Sequence, residues 1–134
     1  MFWLARELKN EVDRELSPHG ITSSQAALIL FARTRARLTI GSAARLLGTD
    51  TAAVTRLVDR LESKGLVRRE AAGHDRRAVT ISVTETGEAL APSLLAAFQA
   101  VHHRVAAALE PGEEGILEAI VSRLLGRLAG GVTA

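Results

Sequence analysis

Residues 38–83 read LTIGSAARLLGTDTAAVTRLVDRLESKGLVRREAAGHDRRAVTISV, and the periodicity of this stretch decides the fold. Thr39 is placed to cap a short helix on which Ala43, Leu46 and Leu47 face inward. Gly48 supplies the left-handed turn that closes it. Asp50 or Thr49 then caps a second helix running to Lys64-Gly65, with Val54, Leu57, Val58 and Leu61 at i, i+3, i+4 and i+7. Two helices joined by a short glycine-bearing corner form a helix-turn-helix pattern. After Gly65 the period changes to alternation. Leu66–Glu70 reads as one short strand, residues 71–75 as a turn, and Ala78–Val83 as a second strand with Val79, Ile81 and Val83 on one side. A hairpin directly after a helix-turn-helix is a wing.

The face of the second helix opposite its apolar row carries Ala52, Thr55, Arg56 and Asp59, with Asp50 and Thr51 at its tip and Arg60 on its flank. Small residues at the tip allow close approach to base edges, and an arginine can pair with guanine or hold a phosphate. The same pattern also fits an ordinary solvated helix face. The hairpin is more specific. Arg68, Arg69, Arg76 and Arg77 lie on or beside it, and Asp75 adjoins the last two. A guanidinium at a hairpin tip suits the narrow minor groove, and a neighbouring carboxylate can hold its fork in one pose. The alternative is a charged tip that only keeps an edge strand soluble.

Charge follows the same division. Residues 33–77 hold eleven Arg/Lys and five Asp/Glu, a balance of +6, whereas the whole chain carries only +2. A basic middle between acidic ends is the footprint of a surface that meets phosphates.

Outward from this centre the chain is helical. Leu4, Leu8, Val12 and Leu16 recur at four-residue spacing before a stop at Ser17–Gly20. A helix capped near Thr22–Ser24 follows, through Ala26–Phe31. Beyond the hairpin, Thr84–Glu88 opens a long helix with acids at its positive end, expected to reach about Leu109. Pro111–Glu114 is expected to open the last one, with proline in its first turn. There Leu117, Ile120, Val121, Leu124, Leu125 and Leu128 step by three and four. The two terminal stripes exceed what so small a chain covers alone. They predict a two-fold interface through Leu4, Leu8, Val12, Leu117, Ile120, Val121, Leu124 and Leu128. The alternative is a monomer in which the stripes pack on each other and on the long helix.

The predicted class is therefore mostly α with a small antiparallel β-wing. Residues 1–134 make a single domain, with a DNA-binding lobe at 22–84 and dimerisation helices at 1–18 and 86–130. With no cysteine, disulfides and thiolate metal sites are excluded. No apolar run approaches the ~20 residues of a membrane span, and the N-terminus lacks a signal-peptide pattern, so a cytoplasmic protein without membrane partners is expected.

The blocks Leu38-Thr39, Ala43–Gly48, Val54–Val67, Asp75-Arg76-Arg77 and Val83–Gly87 resemble the MarR family of bacterial regulators, in spacing as well as in residues. The resemblance is specific at 54–87 and extends in outline over nearly the whole chain. It implies a homodimer interlocked through its first, fifth and sixth helices, with two winged lobes on a palindromic operator of double-stranded DNA. It further implies that Arg77 enters the minor groove with Asp75 orienting it, and that a small aromatic or anionic effector changes DNA affinity. Repressors are the expected class. Val83 departs from the leucine usual at its position. The absence of cysteine sets the chain apart from the branch that senses peroxide with a thiol.

Other constellations carry less. His102 and His103 are adjacent, so their side chains diverge by about 100° on a helix and do not chelate one ion; no metal or cofactor is expected. Trp3, Phe31, Phe98 and His102 are candidates to line an effector cavity, although core packing is the plainer role for the three aromatic residues. No phosphate loop, nucleophile elbow or His-Glu helix motif occurs, so an enzyme is not expected. A winged-helix module that binds protein rather than DNA is the first rival reading. A small-molecule enzyme built on the dimer cavity is the second, disfavoured because no residues converge to do chemistry.

Overall fold

The computed structural model describes residues 1–72 and 75–128, with the side chains of residue 72 and residues 75–78 outside the described set. Residues 1–99 form one compact unit; a second begins at Ala100. In the first, α1 (Phe2–Leu16) is followed by a single 3₁₀ turn at Ser17–His19 and by α2 (Ser23–Thr34). Next come β1 (Leu38–Thr39), α3 (Ile40–Leu47), α4 (Thr51–Ser63), β2 (Val67–Ala72) and β3 (Asp75–Val83). The helix α5 (Glu85–Ala107) contributes to both units, and α6 (Glu113–Leu128) belongs to the second.

Side-chain caps fix where the helices of the first unit begin. Thr22 accepts the Gln25 N–H while the Gln25 side chain accepts the Thr22 N–H, a reciprocal box that satisfies two free donors of α2. Thr39 accepts from Ser42 at the start of α3, and Asp50 accepts from Ala53 at 2.7 Å at the start of α4. Gly48, at φ 64°, closes α3 in the left-handed region, and this sets the sharp corner between α3 and α4. A fourth device crosses between helices: the Asp13 carboxylate of α1 accepts the Ser23 N–H at 2.6 Å and pairs with Lys9 at 3.0 Å. Burial raises the Asp13 carboxyl, but the Ser23 and Lys9 contacts outweigh it and leave the group below the ordinary carboxylate value.

The sheet is antiparallel in the order β1-β3-β2, with Leu38 opposite Ile81 and Arg69 also opposite Ile81. Leu38 and Ile81 are buried together with Val67, so this face of the sheet closes the core formed by Leu16, Leu28, Ile29, Val54, Val58, Leu61 and Leu94. The hairpin is three-stranded at its base rather than two-stranded as expected. Two residues are too few to display alternation, and Thr39 also reads as a helix cap.

Several boundaries also move. The hairpin strands extend to Ala72 and from Asp75, leaving a shorter connection than the predicted 71–75 turn. The last helix begins at Glu113 rather than in the Pro111 turn, and Gly112 sits at φ 87° just before it. Pro92 lies inside α5, where it costs one backbone hydrogen bond, yet the helix continues.

The stripe on α1 divides. Four residues turn about 40° past a full helical revolution, so a strict i, i+4 row winds around the helix. Leu16 and Val12 are accordingly buried, Leu8 is half-buried and Leu4 is 61% exposed. Val12 thus packs inside the protomer, which corrects its expected place in a partner interface. On α6, Leu117, Ile120, Val121, Leu124 and Leu128 are all exposed in the single chain.

Candidate nucleic-acid interface

The helix α4 buries Val54, Val58 and Leu61 and half-buries Leu57, as its apolar row requires. Asp50, Thr51, Ala52, Thr55, Arg56 and Arg60 are all exposed, so the expected recognition face is open to solvent. Among the described residues, Arg56 and Arg60 have no ion-pair partner; their charges are held one helical turn apart and uncompensated. They line a cleft of about 270 Å³ together with Ser24, Leu47, Thr49 and Ala53. Sequence reasoning misses Ser24 and Thr49 at this site. Their place beside α4 depends on how α2 and the α3–α4 corner pack, which no local pattern reveals.

The wing begins at β2, where alternation separates its two arginines. Arg68 is exposed and pairs with Glu70 two residues on, at 3.1 Å. Arg69 lies on the opposite side and turns onto α4. Its guanidinium contacts Asp59 and Glu62, each at 2.5 Å, and its backbone N–H donates to the second Glu62 oxygen at 3.0 Å. The Asp59 carboxylate raises the Arg69 pKa against the partial loss of water, and Glu62 adds to the rise. Arg69 therefore ties the wing to α4, with its guanidinium engaged by two carboxylates of that helix. The sequence does carry a signal for this. Arg69 shares strand parity with buried Val67, and Asp59 and Glu62 stand at i, i+3 on the helix before it. The expectations for Asp75, Arg76 and Arg77 lie outside the described residues, since only their backbone in β3 is described.

A second junction locks the hairpin base to α5. The Thr84 N–H donates to the Leu66 carbonyl at 3.1 Å, and the Thr84 hydroxyl donates to the Gly65 carbonyl at 2.6 Å. The Gly87 N–H in turn donates to the Thr84 hydroxyl oxygen at 3.1 Å. The backbone runs so close here that a Cβ on Gly87 would lie 2.2 Å from the Leu66 oxygen and 2.6 Å from a Val83 methyl.

The expected cavity set is divided. Phe31 and Phe98 share an apolar cavity of about 210 Å³ with Leu30 and Leu95. His102 belongs to a different one, of about 510 Å³ in the second unit, where it pairs with Glu114 at 3.0 Å. Trp3 is 75% exposed and lines none of the described cavities.

The MarR-family model matches residues 19–78, the span from the α2 cap through the hairpin. The chain is 31% identical over 111 residues to the multiple antibiotic resistance protein MarR of Escherichia coli, covering 82% of this chain and 77% of that protein. The chain belongs to the MarR family. It is also 28% identical to the transcriptional repressor MdtR of Bacillus subtilis, covering 87% of this chain and 74% of that one. Among solved structures, a mutant of E. coli MarR complexed with operator DNA superposes with a TM-score of 0.83 at 28% identity, over 92% of this chain and 89% of that one. MarR-family membership makes the chain a transcriptional regulator rather than an enzyme, and the winged helix-turn-helix expected from its periodicities is the fold it has. Among the described residues no helix is long and apolar enough to cross a membrane.

Proposed function

We propose that this MarR-family chain is a cytoplasmic repressor that binds double-stranded DNA as a homodimer on a palindromic operator and responds to a small aromatic or anionic effector. The observation that carries the reading is the exposed, uncompensated pair Arg56 and Arg60 on α4, beside a hairpin clamped to that same helix by Arg69. Each protomer would place α4 in the major groove and its wing in the flanking minor groove. Residues 22–84 serve as the DNA-binding lobe. Residues 1–18 and 86–130 serve dimerisation, for which the exposed Leu4 and the open apolar row of α6 speak. The repressor assignment follows the names of the relatives, and the DNA partner follows the MarR complex with its operator. The effector reading draws on the Phe31–Phe98 cavity, whose lining is apolar and suits an aromatic ring.

Two substitutions test it by equilibrium binding on duplexes of varied sequence. Arg77→Ala should weaken binding to every duplex and flatten its dependence on salt by about one unit for each phosphate left without a cation. Arg56→Ala should instead narrow the gap between preferred and random sequence, by about 1–3 kcal/mol. Unchanged binding in both variants would remove the wing and helix from the interface.

A further inference from the structure

We propose that the Phe31–Phe98 cavity takes an amphipathic carboxylate whose hydrocarbon end carries no polar atom, and that Arg35 receives its anion. The proposal rests on the effector reading and narrows it to arylalkanoates with an unsubstituted ring. The chamber lies between α2 and α5, which pass it in opposite directions. Ala27, Leu30 and Phe31 line it from α2, and Leu95 and Phe98 from α5. Towards the end of α2 and the start of α5, Arg33 Nε meets the Glu88 carboxylate at 2.7 Å. Arg35, the residue that closes α2, holds its guanidinium over the Phe31 ring, 5.9 Å from the centre.

Polarity divides this site in two. None of the five lining side chains bears a hydrogen-bonding group. At the end of α2 the Leu30 and Phe31 carbonyls already accept the Thr34 hydroxyl, at 3.1 and 3.3 Å. A ligand hydroxyl placed in the chamber therefore loses water and gains no side-chain partner, a cost that a bare ring avoids. The edge is different. Arg33 is matched by Glu88, whereas Arg35 is exposed and among the described residues meets no carboxylate. A cation resting on a lining ring, with no acid to balance it, favours a ligand that carries an anion at one end of its hydrocarbon body. The guanidinium fork can hold both oxygens of a carboxylate. Size agrees with this class. At about 210 Å³ the chamber exceeds the ~150 Å³ apolar cavity that admits benzene, so a phenyl ring and a short chain fit.

The test is calorimetric titration of the full-length protein with phenylpropanoate, its para-hydroxy analogue and its neutral amide. Phenylpropanoate should bind, the para-hydroxy analogue about 10- to 100-fold more weakly, and the amide about tenfold more weakly. Arg35→Ala should weaken the acid about tenfold and erase its advantage over the amide, while Arg35→Lys keeps that advantage because the charge remains. Leu95→Trp, at a position 39% exposed, should fill the chamber and abolish binding of the acid. Equal affinity for the acid and its para-hydroxy analogue, or for the acid in wild type and Arg35→Ala, overturns the proposal. Undiminished binding in Leu95→Trp, or no binding of phenylpropanoate at all, does the same. The effector reading has a separate readout, the duplex affinity with and without saturating phenylpropanoate. A ligand that binds in the expected pattern but leaves duplex affinity unchanged supports the site and sinks its effector role. One that shifts duplex affinity equally in wild type, Arg35→Ala and Leu95→Trp overturns the site and leaves the effector reading standing.

Discussion

Replacing Arg69 by alanine should lower DNA affinity about tenfold or more while leaving the salt slope close to that of the wild type. The physical reason is its position. The guanidinium ties β2 to Asp59 and Glu62 of α4, so it holds the wing against that helix. Its removal does two things at once. It frees the wing to move against α4, and it leaves two carboxylates without a counter-charge near where phosphates approach. A tenfold loss corresponds to about 1.4 kcal/mol, within reach of one partly buried charge network whose charged hydrogen bonds are worth roughly 1.5–3 kcal/mol each. Exposure of the carboxylates to solvent moderates the direct effect on stability, for which about 1 kcal/mol is the expected scale. The decisive comparison is a triple variant that adds Asp59→Asn and Glu62→Gln to Arg69→Ala. It should recover part of the affinity, because the repulsion disappears while the tether stays broken. A salt slope lowered by about two units for the dimer, with no recovery in the triple variant, would place Arg69 in the DNA-contacting set.

The largest effect on folding is expected from Gly87→Ala. On an exposed helical position the change stabilises by about 1 kcal/mol, because glycine is the poorer helix former. At Gly87 the sign should reverse. The added Cβ would meet the Leu66 carbonyl oxygen at 2.2 Å, an atom of the main chain that itself accepts the Thr84 N–H. Neither side can yield without pulling α5 away from the corner where α4 ends and the hairpin begins. Overpacking of this kind costs about 1–3 kcal/mol, and a backbone partner puts the cost toward the upper end. Thermal denaturation followed by circular dichroism should show a midpoint lowered by roughly 5–15 °C. An unchanged or raised midpoint would mean that the junction is loose and that the hairpin base is not held by α5.

Much of this architecture can be read locally. Thr22, Thr39 and Asp50 cap helices where their hydroxyl or carboxylate side chains precede apolar periodicity, and Gly48 turns where a left-handed residue is required. These features depend on a few consecutive residues, so the chain announces them. What local patterns hide depends on distant partners. The strand β1 exists because Leu38 and Thr39 meet Ile81 and Thr80, forty residues on, and its own two residues carry no period. Val12 stands in a four-residue row that looks straight in the sequence, whereas on the helix the row winds into the protomer's own core. Within the interface, the exposed face of α4 follows from its apolar face by subtraction. The division of labour among arginines does not. Arg33, Arg35, Arg37, Arg45, Arg56, Arg60, Arg68 and Arg69 are alike in composition, and only their neighbours separate clamps from free cations.

The most direct measurement is selection of bound fragments from a pool of random duplex DNA by the full-length protein, followed by sequencing. A dimer that lays α4 in successive major grooves should enrich inverted half-sites whose centres lie about one helical turn, ~34 Å, apart. That enrichment should vanish when Arg56 and Arg60 are both replaced by alanine. Recovery of the pool unchanged, or of single sites with no preferred spacing, would contradict a dimer gripping one duplex through paired helices and wings.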